Sequence, residues 1–558
     1  MVCQNLFVEE LELSSIAAVG DIPGALREAG RVFGHKPWIC DVQGIRPETR
    51  ITFSEGCNRV LELAKALARI GLQDGDRFCL WMPNIHEWIL AALGGIDLGA
   101  VLVPINTRFK GPEAGFIISK TRAKVLFVVD EFAGNNYLDM LYREFARGTC
   151  GDLRDLVVVS LGHDRPDLPQ SLGQVNIHYW DDFVAIGGSA NCSSSDNTVD
   201  LREPVGTRGE SIGDIIFTSG TTGEPKGVMT TQNQTLRVFD TWSQVVGLDE
   251  QDRYAIVNPF FHTFGYKAGI IASILTGCSI YPVASFDVAS LISLIYSEKI
   301  TVLPGPPTLY SSILDALGGE TDKIKSLRLA VTGAAVVPVE LVSRMSNDLG
   351  LETVLTAYGL TESTGTVTMC RRGDSPETIA NTCGRAIPGT QIKIIDQSGA
   401  AVPTGESGEV LVKGYNVMTG YFENDEQTSQ AIDEDGWLHT GDVGFMDDRG
   451  YLKITDRVKD MFIVGGFNAY PAEIENILCS NENISQVAVV GVPDDRLGEV
   501  GRAFVILRPG CNLSESDLLE WSRQNMANYK VPRSIVFVDS LPMNASGKVL
   551  KNTLRNWS

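Results

Sequence analysis

The chain has 558 residues, of which 44% are hydrophobic and 21% are charged, so it can bury a large core and is expected to form more than one domain. These values exclude disorder or a coiled coil as a description of the whole chain. Its 47 Lys and Arg residues against 69 Asp and Glu residues give a net charge of -22, which would repel a phosphate backbone over most of the surface. We therefore expect no nucleic-acid partner.

Cysteine usage and apolar runs indicate a soluble, cytoplasmic protein. The 11 cysteines are scattered and form neither a Cys-x-x-Cys motif nor a Cys/His cluster, so we expect thiols rather than disulfides or a zinc site. The first residues lack a basic segment and carry acids such as Glu9, unlike a signal peptide. The longest apolar stretch, residues 268–284, is interrupted by Gly277 and Pro282, so we expect no membrane span.

Helical and strand patterns alternate over the first two thirds of the chain. The predicted elements are helix Ser54–Ile70, strand Arg77–Trp81, helix Ile85–Leu98, strand Ala100–Pro104, helix Val288–Glu298, strand Thr301–Pro304, helix Pro307–Leu317, strand Arg328–Thr332, helix Pro338–Leu349 and strand Thr353–Ala357. A polar stretch at 187–198 predicts a surface loop between two such regions. The alternation predicts an α/β fold whose parallel sheet is covered on both faces.

The last third of the chain has a different texture. Short alternating strands such as Gln391–Ile395 and Gly408–Val412 indicate a β subdomain, and a small α+β pattern follows Asp456. We predict a large N-terminal domain, residues 1–456, of parallel α/β sheets plus the β subdomain, and a small mobile α+β C-terminal domain, residues 457–558. The positively charged end of the chain, 530–558, predicts either an anionic ligand or a solvated basic face.

A loop rich in glycine and hydroxyl groups lies between two predicted strands, Asp214–Phe217 and Val228–Thr231. Glycines let backbone N–H groups converge on a polyanion, hydroxyls donate further hydrogen bonds, and Lys226 adds a positive charge. The predicted phosphate cradle comprises Thr218, Ser219, Gly220, Thr221, Thr222, Gly223 and Lys226. It is not a Walker A loop, because Lys226 is followed by glycine rather than Ser or Thr. The alternative is an ordinary polar hairpin loop.

This loop, TSGTTGEPKG, resembles the phosphate-loop signature of the adenylate-forming enzymes, the superfamily of acyl-CoA synthetases, luciferases and peptide-synthetase adenylation domains. Further motifs follow in the order found in that superfamily: YGLTE at 358–362, WLHTGD at 437–442, DRVKD at 456–460, GGFN at 465–468, PAEIE at 471–475 and PMNASGK at 542–548. The resemblance implies that ATP activates a carboxylic acid to an acyl-AMP with release of pyrophosphate, and that coenzyme A then accepts the acyl group.

The resemblance also implies how ATP is bound. Glu362 and Thr221 are expected to hold Mg²⁺, and Glu362 follows a predicted strand, where open α/β sheets bind ligands. Thr361 resembles the α-phosphate contact and Tyr358 the residue against which adenine lies. Gly333, Ala334 and Ala335 would form a wall for the purine, Asp442 would accept the ribose hydroxyls, and Arg457 would reach ribose and phosphate. Without the resemblance, Glu362 reads as a surface residue and Tyr358 as a core residue.

The second half-reaction is expected to use the C-terminal domain. Lys459 resembles the hinge between the domains, and Lys548 resembles the mobile catalytic lysine of adenylation. Gly465 and Gly466 would face the tunnel for the pantetheine thiol, and Arg108 resembles a contact to CoA phosphate. No general base is needed, because a carboxylic acid is already ionised at neutral pH.

The segment NPFFHTFGYKAG, residues 258–269, is the predicted acyl pocket, with Phe261, His262, Gly265 and Lys267 as its candidate residues. Amino-acid-activating relatives carry an Asp where this chain has His262, so we expect an acid without an α-amino group, unless His262 is a core residue. Lys267 lies in an apolar run, where an unpaired ammonium is costly, so it is expected either to extend to solvent or to meet a polar group of the substrate.

This segment, together with ITVLPGPPTLY at 300–310 and AVTGAAVVPVELV at 330–342, is similar to actinobacterial CoA ligases that activate ring-bearing propanoates in steroid degradation. A bulky alicyclic or polycyclic, steroid- or terpenoid-like acid is therefore expected. The main alternative is an adenylation-only enzyme that passes the acyl-AMP to a carrier protein or partner enzyme, and a further one is a non-catalytic nucleotide sensor. The sequence leaves open whether the chain forms a homodimer.

Overall fold

The computed structural model describes residues 12–162, 167–188, 208–218, 225–333, 337–457, 460–464, 467–494, 497–526, 528–543 and 549–557, with backbone alone at 456, 457, 463, 467 and 468. The described chain divides into two compact units. The larger unit contains residues 12–391 and 413–436, and the smaller unit contains residues 392–412 and 437–557.

A nine-stranded sheet forms the centre of the larger unit. Its strands, in spatial order, are Gly420–Tyr421, Lys226–Thr231, Ile212–Thr218, Val101–Pro104, Arg77–Trp81, Val125–Val129, Asp155–Val159, Val175–Tyr179 and Ser171–Leu172. The pairings from Ile212–Thr218 to Val175–Tyr179 are parallel, and those at the two edges are antiparallel. Every residue of Val125–Val129 is buried. Because successive side chains point to opposite faces, such a strand is covered on both sides, as predicted.

Two four-stranded sheets lie beside it in the same unit. One has the order Arg253–Ile256, Ser279–Pro282, Pro37–Asp41 and Thr49–Thr52, and the other has the order Leu329–Gly333, Thr353–Tyr358, Thr368–Met369 and Arg385–Ala386. A hairpin of Glu131–Phe132 and Asn135–Asn136 stands apart. The predicted strand Thr301–Pro304 is wrong: Val302 alone bridges Tyr254 and Leu329. Pro304 lacks the N–H that would continue a ladder.

Helices cover these sheets. The α-helices of the larger unit are Ile22–Phe33, Phe53–Arg69, His86–Leu98, Gly111–Thr121, Tyr137–Ala146, Trp180–Gly188, Gln232–Val246, Thr263–Gly265, Ala272–Thr276, Val288–Glu298, Pro307–Leu317, Val339–Asn347, Pro376–Asn381 and Asp425–Ala431. Short 3-10 turns occupy Ala17–Val19, Arg208–Glu210, Thr321–Ile324 and Thr361–Ser363, and a π-helix occupies Tyr266–Ile271. The predicted helices Val288–Glu298 and Pro307–Leu317 have the observed bounds, and the others agree within two residues at each end.

The smaller unit contains the predicted β subdomain and the C-terminal α+β region. The β subdomain is a sheet of Thr390–Ile395, Gly408–Gly414, Leu438–Met446 and Leu452–Arg457. The C-terminal sheet contains Phe467–Ala469, Phe462–Val464, Gly498–Leu507, Ile484–Asp494 and Ser534–Phe537, with helices Pro471–Cys479, Glu515–Asn525 and Lys551–Arg555. Residues between Phe462 and Leu554 form a hydrophobic core of their own. The domain boundary after residue 456 and the hinge at Lys459 remain predictions, and Lys459 lies outside the described residues.

Two further expectations concern cysteines and membranes. The described cysteines are all free, and Cys278 is buried, as expected for a small core residue. Among the described residues, no helix is long and apolar enough to cross a membrane.

Candidate active site

The predicted phosphate loop connects two antiparallel strands, Ile212–Thr218 and Lys226–Thr231, which we call the loop hairpin. Thr218 pairs with Lys226 at the end of the hairpin next to the loop, and the Thr218 hydroxyl lies 3.5 Å from the Lys226 carbonyl oxygen. Both residues are half-buried. The predicted strands on either side of the loop are thus confirmed. The loop residues Ser219, Gly220, Thr221, Thr222 and Gly223 lie outside the described residues.

A tyrosine connects two of the predicted site residues. Tyr421 pairs with Val228 of the loop hairpin, and its hydroxyl donates a 2.9 Å hydrogen bond to Glu362 Oε1. The Lys226 ammonium lies 4.9 Å from the centroid of the Tyr421 ring. Desolvation, together with the nearby Glu362 carboxylate, raises the pKa of Tyr421, so its hydroxyl stays protonated and keeps donating. Lys226, Tyr421 and Glu362, here called the open cluster, therefore place a cation at the face of one tyrosine ring and a carboxylate at its hydroxyl.

The backbone around Glu362 is tightly folded. Ser363 Oγ accepts a 2.9 Å hydrogen bond from the Leu360 N–H, and the Glu362 carbonyl accepts one from the Met418 N–H. Thr364 has a left-handed φ of 56°, a conformation unfavourable for a β-branched residue, and its hydroxyl is bonded to the Asn416 carbonyl. These contacts fix the turn that presents the half-buried side chains of Thr361 and Glu362.

The predicted adenine wall lies at the ends of two adjacent parallel strands. Gly333 ends one of them and pairs with Ala357, next to Tyr358 on the neighbouring strand. A Cβ atom at Gly333 would lie 3.0 Å from the Ala357 carbonyl oxygen, so glycine allows this close approach. Ala334 and Ala335 lie outside the described residues. The structure thus brings Gly333 close to Tyr358, and their contact with adenine remains a prediction.

The first part of the acyl segment 258–269 is held in place by a buried asparagine. Asn84 Nδ2 donates to the carbonyl oxygens of Ile256 and Asn258 at 3.1 and 2.9 Å, and Asn84 Oδ1 accepts from the Phe260 N–H at 2.8 Å. The Phe260 ring packs on Trp88, with centroids 5.2 Å apart. Phe261 is half-buried beside this anchored residue.

His262 lies at the start of the short helix Thr263–Gly265. Its Nδ1 accepts a 3.2 Å hydrogen bond from the Phe264 N–H, so Nε2 carries the proton in the neutral ring. The residue is exposed, yet desolvation by the surrounding protein lowers the pKa of its imidazole. The alternative that His262 is a core histidine is therefore wrong.

The acyl segment and the Glu362 turn touch each other. A Cβ atom at Gly365 would lie 2.4 Å from Thr263 Cγ2, so a side chain at this position would separate the two segments. At Gly265, a Cβ atom would lie 2.1 Å from the Pro259 carbonyl oxygen. Gly265 therefore has a backbone-packing reason to be glycine, and its contact with an acyl group remains a prediction.

Lys267 does not reach solvent, so that expectation is wrong. Its side chain is 1% exposed, and its Nζ lies 3.0 Å from Asp214 Oδ2 and 2.6 Å from Thr230 Oγ1. Desolvation lowers the pKa of Lys267, and the Asp214 carboxylate opposes that shift. The cost of burying the ammonium is thus offset within the protein, and a contact with substrate remains a prediction.

The predicted ribose residues lie in the smaller unit. Asp442 is buried within the strand Leu438–Met446 and is the register partner of Arg457 on the next strand. The Asp442 N–H donates to Thr440 Oγ1 at 3.1 Å, and the Thr440 hydroxyl donates to the Val410 carbonyl at 2.7 Å. Asp442 and Arg457 are therefore cross-strand neighbours, which suits their predicted shared ligand.

The candidate CoA residues are only partly described. Arg108 is exposed and follows the strand Val101–Pro104, and its N–H donates to Asn106 Oδ1 at 2.9 Å. Gly465, Gly466 and Lys548 lie outside the described residues.

Cations near the C-terminus have acidic partners in the same unit. Lys530 Nζ lies 2.5 Å from Glu473 Oε1, and Lys551 Nζ lies 2.8 Å from Glu475 Oε1. Ion pairs within the unit thus account for part of the basic stretch without an anionic ligand.

Comparison with known proteins identifies the family. Residues 26–422 match the family described as AMP-binding enzyme, and residues 473–548 match the AMP-binding enzyme C-terminal domain. The chain belongs to the AMP-binding enzyme family. The resemblance to adenylate-forming enzymes and the α/β fold with a large N-terminal and a small C-terminal domain are thereby confirmed.

Two relatives within the AMP-binding enzymes are similar over nearly the whole chain. The first, from Rhodococcus jostii, is described as "3-[(3aS,4S,7aS)-7a-methyl-1,5-dioxo-octahydro-1H-inden-4-yl]propanoyl:CoA ligase"; it is 44% identical over 96% of this chain and 98% of its own length. The second, from Mycobacterium tuberculosis, has the same description and is 43% identical over 92% of this chain and 94% of its own length. This chain is accordingly an AMP-forming acid–CoA ligase, as predicted, rather than an adenylation-only enzyme or a nucleotide sensor.

A solved structure of an AMP-binding enzyme agrees with the fold. The ATP-bound crystal structure of MatB from Rhodopseudomonas palustris superposes with a TM-score of 0.79 and 26% identity, covering 95% of this chain and 98% of that chain. Binding of ATP by this ligase is in accord with that similarity.

Two residues of the site were missed by the sequence analysis. Tyr421 lies in a Thr-Gly-Tyr stretch that carries no recognisable pattern, and Asn84 follows a strand as an ordinary loop residue. The only signal available was position: Asn84 lies just after the carboxyl end of the parallel strand Arg77–Trp81, where α/β sheets bind their ligands.

Proposed function

We propose that this ligase activates a bulky fused-ring propanoic acid, first to its acyl-AMP and then to its CoA thioester. The observation that carries the proposal is the near full-length similarity to two ligases described as acting on a methyl-dioxo-octahydroindenyl propanoyl group. His262 supports it, because its imidazole, which stays neutral near pH 7, carries no negative charge that could pair with a substrate amine. Straight-chain and α-amino acids are therefore expected to be poor substrates.

The open cluster supports the first half-reaction. The acid attacks the α-phosphorus of ATP as a carboxylate, since carboxylic acids titrate near pH ~4, and the protein has to align it and neutralise phosphate charge. Lys226 supplies a positive charge where the second strand of the loop hairpin leaves the phosphate loop. Glu362 fits a magnesium ligand: it offers hard oxygen atoms, and an uncharged phenol, that of Tyr421, holds its carboxylate. Glu362 and Thr221 would hold Mg²⁺, which when bound would neutralise charge on the ATP phosphates.

The remaining roles rest on the family resemblance. Tyr358 and Gly333–Ala335 would contact adenine, Thr361 the α-phosphate, and Asp442 with Arg457 the ribose. Lys548 would contact the α-phosphate during adenylation and withdraw when the C-terminal domain turns about Lys459. Gly465, Gly466 and Arg108 would then serve the entering CoA.

The test is exchange of labelled pyrophosphate into ATP with a panel of acids, repeated with CoA and detection of the thioester. We expect exchange to require both an acid and Mg²⁺, with the highest kcat/KM for the fused-ring propanoate of the relatives. Exchange that proceeds equally well without acid would contradict adenylation. A higher kcat/KM for palmitate or an α-amino acid would contradict the substrate class.

A further inference from the structure

A buried group of three polar residues lies beneath the candidate active site. Lys267 Nζ contacts Thr230 Oγ1 at 2.6 Å and Asp214 Oδ2 at 3.0 Å, and the Thr230 hydroxyl donates to Asp214 Oδ1 at 2.8 Å. The side chains of Lys267 and Asp214 are each 1% exposed, and Thr230 is buried. We call Lys267, Thr230 and Asp214 the buried triad.

Core packing alone does not explain the buried triad. A buried ion pair loses the hydration of both charges, and well-packed apolar residues of similar volume often serve stability equally well or better. The Lys267 side chain itself is 1% exposed, so its ammonium is withdrawn from water. The polar contacts of the triad instead hold its elements in a defined orientation, because charge-assisted hydrogen bonds fix geometry more strictly than apolar contacts do.

The triad joins the loop hairpin to the acyl segment, which the proposed mechanism requires to be held in a fixed relative position. Asp214 and Thr230 are register partners on the two strands of the loop hairpin. Thr218 and Lys226 are partners in the same register, at the end of the hairpin next to the loop. The separation of four residues along each strand places both pairs on one face, about 13 Å apart. The pair Asp214 and Thr230 thus contacts Lys267, and the pair Thr218 and Lys226, on the same face of the hairpin, flanks the predicted phosphate loop.

Lys267 belongs to the other element. It lies five residues after His262, within the π-helix Tyr266–Ile271 in which the acyl segment 258–269 ends. A π-helical turn is a strained local solution that often accompanies a functional site, and here it places the lysine side chain against the hairpin. The triad is therefore a direct polar link between the acyl segment and the phosphate-loop strands.

We propose that Lys267 is a positioning residue that couples binding of the acid to binding of ATP. ATP bound at the phosphate loop restricts the motion of the hairpin, and through the contacts of the triad it also restricts the π-helix and the acyl segment. Each ligand therefore raises the affinity of the protein for the other. Coupling of this kind is reciprocal by thermodynamic necessity. The inference rests on the proposed assignment of phosphate to the loop hairpin and of the acid to the acyl segment.

The test measures coupling rather than activity. Dissociation constants of the fused-ring propanoate are measured by calorimetry with and without saturating α,β-methylene-ATP and Mg²⁺, an analogue whose α–β link cannot be cleaved. Three variants are compared with the wild type: Thr230→Ser, which keeps the hydroxyl; Thr230→Val, which removes it; and the triple variant Lys267→Met/Asp214→Leu/Thr230→Val, which replaces all three polar partners with apolar groups. Melting temperatures establish that each variant is folded.

We expect the analogue to tighten acid binding about tenfold in the wild type and in Thr230→Ser, within the usual range of coupling factors. The factor should fall in Thr230→Val and approach one in the triple variant, while the affinity for the analogue alone changes less than about twofold. A wild-type coupling factor in the folded triple variant would overturn the proposal, as would a factor of one in the wild type. Failure of the wild type to bind the analogue at all would instead overturn the proposed nucleotide site and the coupling with it.

Discussion

One β-strand carries a member of each of two clusters whose charged groups behave in opposite ways. Lys226, at the start of the strand Lys226–Thr231, is half-buried and belongs to the open cluster, while Thr230, four residues later, belongs to the buried triad. In the open cluster the described contact of the Lys226 ammonium is with the face of the Tyr421 ring, and the hydroxyl of that tyrosine, not the ammonium, bonds Glu362. In the buried triad, by contrast, the Lys267 ammonium contacts its carboxylate directly.

The difference indicates what each set of charges is for. A cation and a carboxylate that are kept apart at a half-exposed site retain their fields for a ligand that carries both negative phosphates and a metal. A cation and a carboxylate in direct contact, cut off from water, neutralise each other and hold the scaffold. Substitutions in the open cluster should therefore change rate more than stability, whereas charge-removing single substitutions in the buried triad should lower stability in addition to weakening the proposed coupling of the two ligands.

The largest effect is expected from Lys267→Met, which leaves the Asp214 carboxylate buried without its ammonium. Breaking a buried pair by removing one partner typically costs about 3–5 kcal/mol of unfolding free energy. Urea denaturation should detect this loss. The matched control is Lys226→Met, where a half-buried lysine is lost and the expected cost is under about 1 kcal/mol. Equal losses in the two variants would contradict the distinction between the clusters.

The next effect concerns Lys548, predicted to act on substrate from the C-terminal domain. Removing an oriented group of this kind typically costs ~10²–10³ in rate, so Lys548→Ala should lose that factor in acyl-AMP formation. Given synthetic acyl-AMP and CoA, the same variant should form thioester near the wild-type rate. Single-turnover assays of the two half-reactions provide the measurement. Equal loss in both would show that Lys548 supports both states or the fold, and the alternation about Lys459 would have to be abandoned.

A smaller effect is expected from Tyr421→Phe, which keeps the ring beside Lys226 and removes the hydroxyl that bonds Glu362. Losing a group that orients an active-site charge typically costs about tenfold or more in rate, so kcat for pyrophosphate exchange should fall by at least about that factor, and the lost hydrogen bond should also lower the melting temperature. Tyr415→Phe is the matched control, because its hydroxyl contacts Thr241 at 3.3 Å instead of a carboxylate. If both variants lost activity equally, the hydroxyl of Tyr421 would have no special role.

The sequence predicted the parts of the site that local motifs encode. The strands flanking the phosphate loop, the turn that carries Glu362 and the segment that carries His262 each depend on a short run of residues, and each was predicted at its place. The partners Tyr421 and Asn84 were not predicted, because they act on residues 59 and 172 positions away along the chain. Only the folded sheet brings such residues together.

Lys267 illustrates the same limit. Its apolar neighbours indicated a position inside the protein, while its charge indicated solvent or substrate, and the sequence offered no way to decide. Asp214 resolves the conflict from a different strand, and an Asp within the strand Ile212–Thr218 carries no local sign of being a counter-ion. The prediction of a strand at Thr301–Pro304 was wrong for a related reason: the bridges to neighbouring strands depend on distant residues, and they are formed by Val302 alone.

The smallest effect is expected from His262, the titratable residue of the acyl segment. Desolvation lowers its pKa below the ordinary value of 6.5, so at mildly acidic pH the unfolded chain binds a proton that the folded chain resists. The unfolded state then holds more protons, and stability falls as the pH drops through the unfolded pKa toward the lowered folded pKa. Because the side chain is exposed, water screens the effect, and the loss should stay under about 1 kcal/mol.

His262→Asn isolates this contribution, because an asparagine oxygen can accept the Phe264 N–H in place of Nδ1 and does not titrate. Unfolding free energies of both proteins are measured by urea denaturation at about pH 7 and about pH 5, and the contributions of all residues common to the two proteins cancel in the comparison. The wild type should lose more stability than the variant over this interval. Identical losses would mean that His262 is fully hydrated in the folded chain, and a larger loss in the variant would mean that the folded state favours the protonated ring, which would reverse its assignment as a neutral wall of the acyl site.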